Sequence, residues 1–263
     1  EFFFFTDDNF ARNPEWEKVF DGLTEARKRG IKPVLMMQVD TQSYKIPRFV
    51  EKAKAAGVNY AFIGLETVNP DNIKAAGKAQ NKVNQFAEMV DVWHDAGVVV
   101  HCGYIIGFPH DTPESVRRDV AILKDDVKVD EVSFFVLTPL PGSRDHQNMV
   151  KNGQVLSADL NDYDSFHETF RHAHFLPGEW TAAYREAWDS FYSKENMVNV
   201  LLRLPKDRYW QLFRIFVWYR YCVYAKTHPM ITGLIRLKDR KARRSIFPRE
   251  SVPAYAWRRA KEM

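Results

Sequence analysis

The chain has 263 residues, 45% of them hydrophobic and 14% aromatic, enough for one large domain with a sizeable core, which excludes wholesale disorder. Its two cysteines, Cys102 and Cys222, exclude a disulfide framework or a four-thiolate metal site within the chain, and no apolar run approaches the roughly 20 residues that span a bilayer. The formal charge of +4 is unevenly divided, since residues 203–263 carry 16 Lys+Arg against 4 Asp+Glu and residues 1–202 carry 22 against 30, so a cytoplasmic protein with an acidic body and a basic tail is expected.

The first apolar run, residues 2–5, ends in Thr6-Asp7-Asp8-Asn9. It starts almost at the first residue, without an initiator Met or the flanks of a signal peptide, so further chain is expected upstream. Asn13-Pro14-Glu15 predicts a helix start capped by Asn13, with Trp16, Val19, Phe20, Leu23 and Ala26 as its stripe and Gly30 as its stop. A second strand is predicted over 33–39, ending Gln38-Val39-Asp40. The helix of Ile46, Phe49, Val50 and Ala53 follows and closes at Gly57. A third strand, 60–65, runs into Gly64-Leu65-Glu66, and Phe86, Met89, Val90 and Trp93 predict the next helix, up to Gly97. The fourth strand, 98–106, ends in Gly107-Phe108-Pro109, after which Asp111-Thr112-Pro113-Glu114 predicts a helix capped by Asp111. The fifth, 132–137, leads to Thr138-Pro139-Leu140-Pro141-Gly142.

Strands alternating with helices predict right-handed βαβ crossovers in one parallel α/β sheet. The unbroken apolar runs at 2–5, 34–37 and 98–100 predict burial on both faces. Past about residue 150 the strand signals stop, and 180–192 and 209–224 read as aromatic-rich helices. The expected organisation is a β/α unit over 1–145, a linker and helical extension over 146–202, and an aromatic, basic helical tail over 203–263.

The polar residues collect behind the strands: Asp7 and Asp8, Gln38, Glu66, Asp111 and Thr138. In parallel α/β folds that edge carries ligand-binding and catalytic groups. Glu66, straight after an apolar strand, is expected to contact a ligand, whereas Asp111 is expected only to cap its helix. Gly64, Gly107 and Gly142 are expected to let a ligand approach the backbone. Neither GxGxxG nor GxxxxGK[ST] is present, which argues against a dinucleotide fingerprint and a P-loop. His94, His101 and His110 lack paired ligand spacing. His167, His172 and His174, near Asp162, Asp164 and Glu168, are read as surface histidines rather than a metal site, and Cys102 as a buried, inert thiol.

Four motifs in order, Phe5-Thr6-Asp7-Asp8-Asn9-Phe10, Gly64-Leu65-Glu66-Thr67 with Lys78 and Gln80 downstream, Tyr104-Ile105-Ile106-Gly107-Phe108-Pro109-His110-Asp111-Thr112, and Leu137-Thr138-Pro139-Leu140-Pro141-Gly142-Ser143, resemble the radical S-adenosylmethionine superfamily. They are most similar to the branch whose members often carry an N-terminal cobalamin-binding domain. The resemblance implies a partial (β/α)6 TIM-like barrel lacking its first strand, followed by a helical C-terminal region. It implies reductive cleavage of S-adenosylmethionine at a [4Fe–4S] cluster whose C-x3-C-x2-C ligands would lie upstream and are absent here, with cobalamin as a further cofactor held by a preceding domain. It places Asp7 and Asp8 near the amino group of the methionine moiety, Gln38 and Thr138 at the same mouth, Glu66 against the cofactor and Lys78 at the methionine carboxylate. The backbone around Gly107 and Phe108 would lie along the adenine. Gly103 stands where some relatives place a polar ribose contact, for which Tyr104 is the substitute expected here. No catalytic residue and no metal ligand is assigned.

The tail interleaves Trp210, Phe213, Phe216, Trp218, Tyr219, Tyr221 and Tyr224 with Arg214, Arg220 and Lys226, before a basic run at 236–244. A helix packed on the barrel, a peripheral membrane contact and, less favoured, a nucleic-acid grip all fit this composition. The expected function is radical chemistry, a methylation or a carbon-centred rearrangement or cyclisation, on an apolar or lipid-like substrate. The alternatives are a radical RNA-modifying enzyme and a non-catalytic β/α binding protein that has lost its cluster.

Overall fold

The computed structural model describes residues 2–75 and 83–230, together with Pro253 and Trp257. Five parallel strands, β1 (Phe2–Phe4), β2 (Val34–Val39), β3 (Val58–Glu66), β4 (Val99–Ile106) and β5 (Glu131–Val136), form one curved sheet in the order β1-β2-β3-β4-β5. Helices α1 (Trp16–Lys28), α2 (Phe49–Ala56), α3 (Pro70–Ala75), α4 (Val83–Asp95) and α5 (Pro113–Asp125) make the crossovers. This is the partial β/α barrel, five parallel strands with crossover helices, that the motifs led one to expect. A C-terminal helical region follows: α6 (Arg144–Lys151), α7 (Glu179–Phe191), α8 (Lys194–Arg203) and α9 (Lys206–Tyr224).

One face of the sheet is sealed by the helices. Leu35, Met37 and Val39 of β2 and Ala61 and Ile63 of β3 are buried, and where α1, α2 and α4 meet Phe49 packs edge to face on Trp93 and at a tilt on Phe20. Gly57 ends α2 in the left-handed conformation, at φ 85°, as its place after the apolar stripe predicts. Two expected caps are corrected. Asn13 does not cap α1, which starts at Trp16; its side chain instead accepts the Glu15 N–H at 2.9 Å in a turn before the helix. Thr112, not Asp111, caps α5 through a reciprocal box with Ser115.

The sheet has two different edges. At β1, Phe2, Phe3 and Phe4 are 57%, 51% and 41% exposed, so the expectation that this run is buried on both faces is overturned. An edge strand has a neighbour on one side only, and an apolar run by itself does not reveal that. At β5 the open edge is closed by α7: the Tyr192 hydroxyl accepts the Val132 N–H at 2.9 Å and donates to the Val132 carbonyl at 2.7 Å. One phenol thereby satisfies both exposed backbone groups of that residue.

The other face lines the inside of the half-barrel. Strand register sets Gln38, Phe62, His101 and Glu131 in one row and Gly64, Gly103 and Ser133 in the next. Toward the closed end this face is polar and dry. Glu131 is 2% exposed, receives the Tyr219 hydroxyl, and leaves Oε1 without a partner among the described residues. Burial raises its pKa to about 8, while burial lowers that of His101 to about 3. Their 3.6 Å approach is therefore a contact of neutral groups at pH 7.

This sets a pH dependence. From about pH 5 to 8 the unfolded chain has released the Glu131 proton that the folded chain keeps, so the contribution of this group to stability falls as pH rises, by about 1.4 kcal/mol per unit. His101 and His228, lowered to about 3 and about 4, oppose this only below their unfolded pKa near 6.5. Glu131→Gln keeps the shape of the neutral acid, so urea unfolding between about pH 6.5 and 8 should show a flatter profile for the variant than for the wild type. Parallel profiles would mean that Glu131 is ionised in the folded protein.

Candidate functional site

Parallel strands deliver all their C-terminal ends to one edge, and Asp8, Gln38, Glu66, Gly107 and Thr138 stand along that rim. Asp7 and Asp8 follow β1 and are exposed; Asp7 accepts the Asn13 amide at 3.1 Å. Gln38 is half-buried on the inner face beside Phe62. Behind it Asp40 ties the first two loops together by accepting from Asn9 at 3.0 Å and from Arg12 at 2.7 Å. Burial raises the Asp40 carboxyl, but these bonds outweigh it and hold the pKa below the usual range.

Glu66 occupies an unusual backbone position. The ladder between β3 and β4 slips between Gly64 and Glu66, leaving Leu65 as the extra residue of a bulge, and Glu66 adopts a left-handed φ of 66°. A bulge at a strand end re-aims the next side chain, and a non-glycine residue is held at positive φ only where its surroundings over-determine it. Gly64 leaves open space on the inner face, since an added Cβ would meet nothing within 4 Å.

The turn after β4 is wired at nearly every backbone group. Asp111, 1% exposed, accepts the N–H groups of Gly107 at 2.8 Å and Phe108 at 2.9 Å through Oδ2. Its Oδ1 accepts the Asn72 amide at 2.6 Å, and Asn72 Oδ1 in turn accepts the His110 N–H at 3.0 Å. The Trp180 indole N–H donates to the Ile106 carbonyl at 3.0 Å. His172 donates from Nε2 to the Phe108 carbonyl at 3.0 Å and accepts the His174 N–H at Nδ1, which fixes the neutral tautomer; burial, moreover, lowers its pKa.

Asp111 is therefore the clamp of this turn and not the cap that the local pattern suggested, and His172 is a buried brace and not a surface histidine. Nothing in the local sequence marks Asn72 or Trp180 as residues of this site. The one available signal was the spacing Gly107-x3-Asp111, which lets a carboxylate fold back onto a strand-end glycine.

Two further expectations change. Gly107, at φ 114°, is glycine because the Trp180 ring lies against its Cα, where a Cβ would collide; it does not leave room there for a ligand. Tyr104 cannot serve as a ribose contact. It alternates with Gly103, faces the helices, is 1% exposed and donates to Asp119 of α5 at 2.7 Å. Lys78 lies outside the described residues. Among the described residues no group of three or more His, Cys, Asp or Glu side chains is placed to hold a metal ion, and His167 pairs with Asp164 at 3.0 Å.

Above the β4 and β5 ends opens a cleft of about 790 Å³, lined by Gly107, Phe108, Thr138, Met149, Phe170 and His174 among others. It draws together Gly107, Phe108 and Thr138 of the expected site, whereas Asp7, Asp8, Gln38 and Glu66 stand along the rim outside it. The cleft has a mixed lining, with Phe108, Phe170 and Phe175 facing Asp145, Asn148 and Arg171, and is of a size to take a small molecule.

Comparison with known proteins agrees with this architecture. Residues 1–123 match the Radical SAM superfamily. An uncharacterized methyltransferase of Pyrococcus horikoshii is 25% identical over 194 residues, 70% of this chain and 42% of that protein. The bacteriochlorophyllide d C-12(1)-methyltransferase of Chlorobaculum tepidum is 25% identical over 169 residues, 64% of this chain and 35% of that protein. The chain thus spans less than half the length of these curated relatives. Among solved structures, the radical S-adenosylmethionine methyltransferase TsrM of Kitasatospora setae, with cobalamin and a [4Fe–4S] cluster bound, superposes with a TM-score of 0.57. It has 13% identity and covers 84% of this chain and 52% of that one, a likeness of fold.

Proposed function

Residues 1–123 match the radical SAM superfamily, and from that premise we propose that the chain is the S-adenosylmethionine-binding part of a radical SAM enzyme that methylates or otherwise remodels an apolar, lipid-like carbon skeleton. The observation that carries the reading is the rim itself: a bulged, left-handed Glu66 beside open Gly64, next to a turn whose conformation is locked by Asp111. Preorganised strand ends of this kind suit a cofactor that must be held in one orientation. S-adenosylmethionine, when bound, supplies a methyl group or, after one-electron reduction, a carbon radical.

The residues present fit that molecule in parts. The exposed Asp7 and Asp8 carboxylates can pair with its ammonium group, and Glu66 can orient it by a charge-assisted hydrogen bond. The turn at Gly107 and Phe108 offers an adenine a flat wall whose N–H groups are already satisfied by Asp111, and Trp180 and Phe108 keep water from it. Thr138 lies at the same wall, and its hydroxyl donates to the Val136 carbonyl at 3.0 Å.

The superfamily's iron–sulfur cluster does not fit these residues. Cys102 and Cys222 are both buried, and burial pushes the Cys102 thiol up and the Cys222 thiol up to about 11, so neither offers a thiolate. We assign the cluster ligands to protein outside these 263 residues. Cobalamin use rests on the likeness to cobalamin-binding relatives. Two buried, reduced thiols suit the cytoplasm, where we place the enzyme.

Calorimetric titration of S-adenosylmethionine into the intact enzyme, loaded with its cluster through ligands outside these 263 residues, tests the reading. The wild type should bind, and Glu66→Gln, which keeps the size but removes the charge, should lose about tenfold in affinity. A wild type that does not bind would overturn the proposal. Equal affinities for equally folded and equally loaded proteins would remove Glu66 from the site.

A further inference from the structure

Helix α9 has two apolar faces. Leu212, Phe216, Tyr219 and Cys222 are buried against the body. On the far side Trp210, Phe213, Val217 and Tyr224 recur at helical spacing and are 69%, 39%, 46% and 83% exposed. Helix α8 extends this surface with Val198 and Leu202, 52% and 77% exposed. Between the two helices runs a groove of about 570 Å³, lined by Met197, Val198, Leu201, Phe213, Val217 and Tyr221 among others. A helix that is apolar all round is normally covered on every side, and an exposed patch of this extent marks a docking surface.

Charge decides between the possible occupants. Lys194 and Arg220 flank the groove, Arg220 paired with Asp189 at 2.6 Å, the described residues lining it include no carboxylate, and exposed Lys206, Arg214 and Lys226 lie along α9 and just past it. The whole segment 203–263 holds 16 Lys+Arg against 4 Asp+Glu. A second copy of the chain, docked through the same face, would set one basic rim against another, and like charges across an interface oppose pairing. A surface that is apolar within and anionic at its boundary answers both features. Tryptophan and tyrosine settle at the level of lipid headgroups, while lysine and arginine reach the phosphates from stems lying on the apolar layer. No helix among the described residues is long and apolar enough to cross a membrane, so the contact is made from one side.

We propose that the α8–α9 face is a peripheral docking surface for anionic lipid bilayers. The proposal stands on this face alone and is independent of the chemistry at the sheet rim.

Cosedimentation of the full chain with vesicles tests it, using phosphatidylcholine alone and a mixture of phosphatidylcholine with phosphatidylglycerol. The wild type should partition onto the mixed vesicles, weaken as salt rises, and bind little to the neutral ones. Replacing the exposed pair Trp210→Ser and Phe213→Ser should cut partitioning about tenfold or more while circular dichroism stays unchanged, because neither side chain belongs to the core. Arg214→Glu with Lys206→Glu should shift binding in the same direction through charge. Equal binding to neutral and anionic vesicles, or variants that bind as the wild type does, would overturn the proposal. So would sedimentation as a dimer that the Trp210 and Phe213 variants dissolve while no vesicle binding occurs. Tight binding of single-stranded RNA that the same two variants abolish, again without vesicle binding, would replace the lipid by nucleic acid.

Discussion

Asp111→Ala should destabilise the protein by about 3–5 kcal/mol. The carboxylate is buried and accepts two backbone N–H groups, the Asn72 amide and, at 3.5 Å, the Asn69 amide, so its removal leaves four donors facing a cavity instead of water. Each buried donor left unpaired costs about 1–3 kcal/mol. Asp111→Asn is the informative companion. It keeps one carbonyl oxygen for the two backbone donors but turns an N–H2 group toward the Asn72 amide, and should cost about 1–2 kcal/mol. Urea midpoints at constant slope measure both variants. If Asp111→Ala cost less than about 1 kcal/mol, the clamp would carry no weight, and Asp111 would return to the role of an incidental loop acid.

Gly107→Ala should cost about 4 kcal/mol, from two causes of similar size. The residue sits at φ 114°, a conformation that L side chains rarely adopt, and its new methyl group would enter the Trp180 ring. The two causes can be separated. Trp180→Leu removes the ring and by itself opens a cavity, costing about 3 kcal/mol, yet in the Gly107→Ala background it should also relieve the collision. A double-mutant cycle should therefore show a favourable coupling of about 1–2 kcal/mol between the substitutions. No coupling would place the whole cost in the backbone, and a cost of Gly107→Ala under about 1 kcal/mol would contradict the described turn.

Much of this site could be read before any fold was known, but by residue class more than by role. Glu66 was singled out because it follows an apolar strand, and the bulge that turns it was not visible, since Leu65 looks like one more strand residue. Asp111-Thr112-Pro113-Glu114 is compatible with either Asp111 or Thr112 as the cap, and helix propensity does not distinguish the two. The direction of Tyr104 is not legible because β4 is buried on both faces, so its sequence lacks the alternation that would tell the inner side from the outer. His172 and Trp180 carry no local signal of their contacts with the β4 turn.

By itself the order of residues determined the architecture: apolar runs of strand length, each followed by a helical stripe with its own stop, leave a chain of short β/α units little choice but a parallel sheet with every polar strand end on one edge. It equally determined that the body is acidic and the tail basic, and that two cysteines cannot hold a cluster. What tertiary structure alone decided is which polar groups are spent on holding the site and which remain to act. Asp111 and Asn72 are 39 residues apart, and His172 meets Phe108 across 64. Hydrogen bonds and ring contacts depend on separations of a few ångströms in space, which sequence periodicity, a property of neighbours three or four residues apart, does not encode.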